Sequence, residues 1–170
     1  ALKEVDFAFA PVTTIGASAF AGCSSLKTFT VPSTVVTLGA NCFEGSGITT
    51  LTIPNSVNEI GRGILASTNI VTLSVPYIGR IKAPAVASEG VLGYFFAESP
   101  SGVEQYLSET SSARYAIPAS LTTLNVTDAT RLMYGAISNC SGIRNLTLNS
   151  AITFIAPYAL YNTGITGVTL

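Results

Sequence analysis

The residues best placed to do bond-making chemistry are three cysteines, Cys23, Cys42 and Cys140, and the carboxylates Glu44, Glu59, Glu89, Glu98, Glu104, Glu109 and Asp128. A Ser or Cys nucleophile of the triad type uses histidine as its base, and the sequence contains no histidine. The cysteines form no C-x-x-C pair, so a zinc site lacks both of its usual ligand types. The carboxylates stand singly. Glu104 and Glu109 fall in a polar stretch of loop character, with no fixed pair for acid–base work. The glycine-rich run Gly16-Ala-Ser-Ala-Phe-Ala-Gly22 has no lysine to meet a phosphate, and its Phe20 reads as a core residue. The sequence therefore points away from an enzyme, and it calls for no cofactor and no metal.

Charge and hydropathy narrow the partners. Eight Lys and Arg against nine Asp and Glu give a net charge of −1, without a basic run, so a nucleic-acid backbone finds little to hold. Apolar residues make up 48% of the chain, yet Thr, Ser, Asn or Gly interrupt them every few positions. No stretch approaches the ~20 apolar residues of a membrane helix, so no membrane insertion is expected of this stretch. Such a neutral, hydroxyl-rich surface suits an extracellular protein. An odd number of cysteines makes a poor disulfide framework, and all three sit beside core positions as small buried hydrophobes. No leader is visible at Ala1-Leu2-Lys3; the chain reads as a mature or truncated form from which any targeting segment has been removed. Asn125-Val-Thr, Asn139-Cys-Ser and Asn145-Leu-Thr match the glycosylation pattern but read as accidents of the repeat strands.

The elements that must position any site come from an internal repeat. The form L-x-x-L-x-L starts at residues 2, 26, 48, 70, 121, 143 and 165, so successive steps are 24, 22, 22, 51, 22 and 22. Within a copy, Phe29-Thr30-Val31 alternates as a short half-buried strand does. Pro32 can donate no ladder hydrogen bond and stops it; Pro54, Pro76 and Pro118 stop others. Val35 and Leu38 then turn inward, Gly39 permits a turn, and Phe43 returns to the core. One such turn cannot fold alone, but stacked turns bury a continuous core. Its columns are Ile15, Leu38, Ile60, Leu132 and Ile155, and Phe20, Phe43, Leu65, Ile137 and Leu160. The expected fold is a single solenoid over residues 1–170, mainly β, of about seven short strands.

The pattern I-G-x-x-A-F-x-x-C-x-x-L-x-x-I-x-I-P-x-x-V-x-x-I over residues 15–38 resembles the BspA-like leucine-rich repeats of bacterial and protozoan surface proteins. Ala19-Phe20, Cys23, Leu26, Val31-Pro32, Val35 and Leu38 carry the resemblance. The family cysteine is missing at Ser46 and Thr68 and returns at Cys140. The resemblance implies a curved right-handed leucine-rich-repeat coil with one parallel sheet along a face. It also implies adhesion, at a bacterial cell surface or after secretion.

Two features stand out from the repeat. An irregular insertion of about 77–116 lengthens one step; its Leu92, Phe95 and Phe96 read as cover for neighbouring core, with a loop that walls one side of a binding surface as the alternative, and Gly102 to Leu107 as a helical turn or two. The second feature is the outward row of the strands: Lys27, Thr28, Thr30, Thr49, Thr50, Thr52, Thr72, Ser74, Thr123, Asn125, Arg144, Asn145 and Thr147. Side chains alternate along a strand, so these line one face. They form the candidate contact surface for a protein or glycan partner. A passive spacer within a larger surface protein is the alternative. Strand-like ends without polar caps further suggest end-to-end self-association.

Overall fold

The computed structural model describes residues 2–7 and 10–169. The chain forms a parallel β-solenoid of about seven turns. The described residues form twelve strands: β1 (Thr14–Ile15), β2 (Thr37–Leu38), β3 (Thr50–Thr52), β4 (Glu59–Ile60), β5 (Thr72–Val75), β6 (Glu98–Tyr106), β7 (Ser112–Tyr115), β8 (Thr123–Val126), β9 (Arg131–Leu132), β10 (Asn145–Leu148), β11 (Phe154–Ile155) and β12 (Val168–Thr169).

The principal sheet is parallel, in the order β3-β5-β8-β10-β12. Ladder hydrogen bonding thus joins five of the seven L-x-x-L-x-L copies. Residues 2–7 and 26–31 form no ladder among the described residues. In the second copy Phe29 stands where the next four copies have leucine and the last has Val168. Its ring meets those of Phe7, Phe20 and Phe43 at 5.7, 4.8 and 4.8 Å. Leu170, the last residue of the final copy, lies outside the described residues. A second, thinner side of the coil pairs β1-β2-β4 and, further along, β9-β11.

A third ladder runs through the turns that carry the phenylalanines. Ser18, Phe20 and Gly22 donate their N–H groups to the carbonyls of Ala40, Cys42 and Glu44; Gly135, Ile137 and Asn139 donate to those of Pro157, Ala159 and Tyr161. Each such turn holds two residues at positive φ, four apart: Ser18 and Gly22, Asn41 and Gly45, Gly63 and Ser67, Gly135 and Asn139, Tyr158 and Asn162. Gly, Asn and Ser stand at nine of these ten positions, as the left-handed region favours. Tyr158 is the exception, at φ 59°.

Gly39 plays a different part from the one its place in the repeat suggests. Its φ is not positive, so it does not turn the chain. A Cβ there would instead strike the backbone of Gly16 and Ala17 in the preceding turn, and one on Gly61 would strike Gly39 and Ala40. These glycines let successive turns approach.

The core is the expected pair of columns. Ile15, Leu38, Ile60 and Leu132 are buried, as are Phe43, Leu65 and Ile137, while Phe20 and Leu160 are half-buried. Ile155 is exposed. Cys42 and Cys140 are buried, Cys23 is partly covered, and all three are free thiols.

The long step divides in two. From Tyr77 to Phe96 the chain still follows the coil: Gly63 and Leu65 donate to the carbonyls of Tyr94 and Phe95, and Leu92 donates to that of Ala136. Leu92, Phe95 and Phe96 are buried in the core. The rest is an antiparallel hairpin of β6 and β7. The stretch from Gly102 to Tyr106 is strand, where a helical turn was expected. Its partner settles the matter: Glu104, Gln105 and Tyr106 pair with Arg114, Ala113 and Ser112. Glu98 and Val103 both face Tyr115, so Ser99–Gly102 bulges out of register, and Pro100 suits such a bulge.

Candidate functional site

The sheet register converts the scattered polar residues into two straight rows. Thr50, Thr72, Thr123 and Asn145 are direct neighbours in one; Thr52, Ser74, Asn125, Thr147 and Thr169 are direct neighbours in the other. Coils follow each other at about 4.8 Å, the spacing of hydrogen-bonded strands. The rows are stitched internally. Asn125 Nδ2 donates to Ser74 Oγ at 2.9 Å, and Asn145 Nδ2 donates to Thr123 Oγ1 at 3.3 Å. Between the rows Leu51, Leu73, Leu124 and Leu146 point inward and are buried, so the face is anchored by the core beneath it.

Thr28 and Thr30 continue the rows without ladder pairing. With Thr50, Thr52 and Pro54 they line a shallow depression of about 420 Å³. Thr49 is exposed at the strand entrance, where its carbonyl accepts from Val71 and Thr72. Lys27 and Arg144 stand at the same place in their coils. Lys27 Nζ lies against Gly47 and the Arg144 guanidinium against Gly164. Neither is in an ion pair among the described residues, whereas Arg62, Arg80, Lys82 and Arg114 all are, with Glu98, with Glu59 and Glu89, with Asp128 and with Glu104. The rows thus carry hydroxyls, amides and two uncommitted cations, and no aromatic ring is exposed in them.

The carboxylates stay dispersed: five of them serve those exposed ion pairs. No group of three or more metal-ligating side chains is found among the described residues. No helix among them is long and apolar enough to cross a membrane. The buried thiols are held protonated. Burial pushes Cys42 and Cys140 up to about 12, against some relief at Cys42 from backbone N–H groups.

Sequence reasoning missed what fixes the hairpin. Gln105 is fully buried. Its Oε1 accepts from Gly93 N, and its Nε2 donates to the Ala136 carbonyl at 3.3 Å and approaches Cys140 Sγ at 3.6 Å. Tyr106 N donates to Ser138 Oγ at 2.9 Å, and Asn139 Nδ2 to the Glu104 carbonyl at 2.8 Å. A lone Gln in a polar stretch gives no signal of this in sequence.

Stacked coils of strand and turn, with leucines inward and polar residues in rows outward, define a leucine-rich-repeat solenoid. A family model described as a BspA type leucine rich repeat region matches in six copies over residues 1–98 and 104–170. The chain belongs to that family. Among solved structures it resembles a leucine-rich repeat protein from Bacteroides ovatus ATCC 8483, with 21% identity and a TM-score of 0.52, covering 91% of this chain and 33% of that one. It also resembles a leucine-rich repeat protein from Eubacterium ventriosum ATCC 27560, with 17% identity and a TM-score of 0.37, covering 88% and 48%. The chain thus spans about a third and about half of those two proteins. No curated protein matches the sequence.

Proposed function

We propose that this chain is a binding module of a surface-exposed or secreted protein, whose strand face contacts a partner. The observation that carries the reading is the register: two continuous polar rows, one over four coils and one over five, with Lys27 and Arg144 outside every ion pair among the described residues. Solenoids offer broad surfaces of this kind to partners. Hydroxyl and amide rows without exposed rings suit a protein surface better than a sugar on this face, and adhesion is the use that fits. Catalysis is not part of the reading, because the sequence supplies no histidine and the carboxylates are dispersed.

The test immobilises the protein and exposes it to defined extracellular-matrix proteins and a glycan array, with Lys27→Glu and Arg144→Glu in parallel. Saturable binding that falls at least tenfold in both variants, with unchanged circular dichroism, supports the strand face. Absence of binding across the panel favours the passive spacer.

A further inference from the structure

Successive coils of the principal sheet are joined at the strand entrance by one recurring bond. Val71, Thr122 and Arg144 each donate their N–H to the preceding coil, to the carbonyls of Thr49, Val71 and Thr122, at 2.8, 3.0 and 2.9 Å. Thr49 holds the same place one coil earlier and makes no such bond to Lys27. The break continues along the strand. Among the described residues, the N–H and C=O groups of Thr28, Phe29, Thr30 and Val31 make no hydrogen bond. Across from them, β3 uses one edge only. Thr72 donates to the Thr49 carbonyl and Ile53 to that of Ser74. By the alternation of a strand, the N–H and C=O groups of Thr50 and Thr52 therefore point the other way, where no partner meets them.

This seam lies between two coils that are otherwise bonded to each other. Before the strand, Gly22 donates to the Glu44 carbonyl and Gly47 to that of Cys23; after it, Asn58 donates to the Val36 carbonyl and Gly61 to that of Leu38. Phe29 and Val31 are buried, so the segment is held by its side chains and not by its backbone. The depression of about 420 Å³ described above lies along the seam, with Thr28 and Thr30 on one side and Thr50 and Thr52 on the other. All four threonines are exposed. Backbone polar groups of a folded chain are nearly all paired, and a strand edge left open is a template for another strand.

We propose that the seam takes up an extended segment of a partner protein, which pairs through its main chain with the free edge of β3. The inference rests on the strand-face reading and names the kind of partner that face receives. Two donors and two acceptors, alternating along Thr50–Thr52, match the spacing of another strand. A helix spends those groups on its own bonds, and a polyproline segment has no N–H to give. The rest of the sheet shows which side chains suit the place. The strands that follow in the same position read Thr-Leu-Ser-Val, Thr-Leu-Asn-Val and Asn-Leu-Thr-Leu. The partner segment accordingly alternates aliphatic residues, set over Phe29 and Val31, with hydroxyl or amide residues that extend the polar rows.

The probe is the hexapeptide acetyl-Ile-Val-Thr-Leu-Ser-Val-amide, which copies residues 70–75. It is titrated against the full chain by calorimetry, and amide hydrogen exchange is followed by NMR. In the free chain the amides of Thr50 and Thr52 should exchange faster than that of Leu51, which faces β5; saturating peptide should slow them tenfold or more. Thr50→Pro removes an N–H that has no partner in the fold, at an edge where proline is tolerated, and should raise Kd tenfold or more. Peptides N-methylated at every second residue, in either frame, make the same test on the parent protein, and at least one frame should lose binding tenfold. Arg144→Glu should leave peptide binding unchanged, so failure at the seam is distinct from failure of the strand-face reading. The proposal is overturned if the hexapeptide does not bind, if Thr50 and Thr52 are already as protected as Leu51 in the free chain, or if both N-methylated peptides bind within twofold of the parent peptide. A dimer of the chain alone that Thr50→Pro abolishes would overturn it too, by making a second copy the occupant.

Discussion

Cys42 and Cys140 show how far a single side chain obeys its place in the coil. Cys42 directly precedes Phe43 and Cys140 lies three residues after Ile137, and each is sealed into the interior with its thiol pushed up from 9.0 to about 12 by burial. The unfolded chain ionises these groups near their ordinary value, and the folded chain resists. Their contribution to stability is therefore complete below about pH 9 and is lost as pH rises from there toward 12. Buried Tyr77 shifts in the same direction, burial first and the nearby Glu59 second, so the parent's alkaline loss is a composite. The difference between parent and Cys42→Ala isolates one thiol: the fall in unfolding free energy between pH 9 and 11 should be shallower in the variant, measured by urea titration at each pH. At neutral pH a disulfide reagent should label Cys23 first, because it alone is partly exposed. At this scale the sequence made the columns legible, since Leu26, Leu38, Phe43 and Leu51 recur at fixed spacing and are buried. It hid the left-handed pairs, because Ser, Asn, Gly and even Tyr fill the same slot and no one letter marks it.

The element least legible was the hairpin. Strands of the repeat announce themselves by alternation and a following proline, whereas Glu98–Tyr106 is polar, bulged and paired with a segment that has no repeat character. What holds it is a docking network together with the buried Tyr115 and with Val103, which packs against the core. Gly93 has no room for a side chain because Tyr115 and Gln105 lie against it, and Gly102 is pressed on the Tyr115 backbone. Replacing Gln105 by Leu keeps the volume but strands the Gly93 N–H away from water, while the Ala136 carbonyl keeps its bond from the Leu92 N–H. Leaving such a buried group unpaired costs about 1–3 kcal/mol. The expected outcome is that loss in global stability, with faster hydrogen exchange concentrated at Gly93, Gln105 and Tyr106. Unchanged exchange at those amides would show that the glutamine does not pin the hairpin. The exposed pairs Arg62–Glu98 and Arg114–Glu104 are poor substitutes, since surface ion pairs contribute little.

At the scale of the molecule, stability is a sum over neighbouring coils, each touching only the next. That makes the approach of one coil to another the sensitive quantity, and the I-G and L-G dipeptides of the repeat take their meaning from it. Gly39 sits on the backbone of Gly16 and Ala17, and Gly61 on that of Gly39 and Ala40, while Gly16 has nothing within 4 Å of where a Cβ would stand. The same letter in the same slot thus carries opposite consequences. Gly16→Ala should change unfolding free energy by no more than about 0.5 kcal/mol, as a surface substitution does. Gly39→Ala forces backbone against backbone, with no flexible side chain to give way, and should cost about 2 kcal/mol or more, in the range of overpacked interiors. Because coupling is between neighbours, the damage should also be local. Hydrogen exchange in Gly39→Ala should rise in the turns around Phe20 and Phe43, while the amides of Thr123–Val126 and Asn145–Leu148 keep their protection. Uniform loss of protection along the chain would show instead that the coils melt as one unit, and the nearest-neighbour account of this solenoid would fail.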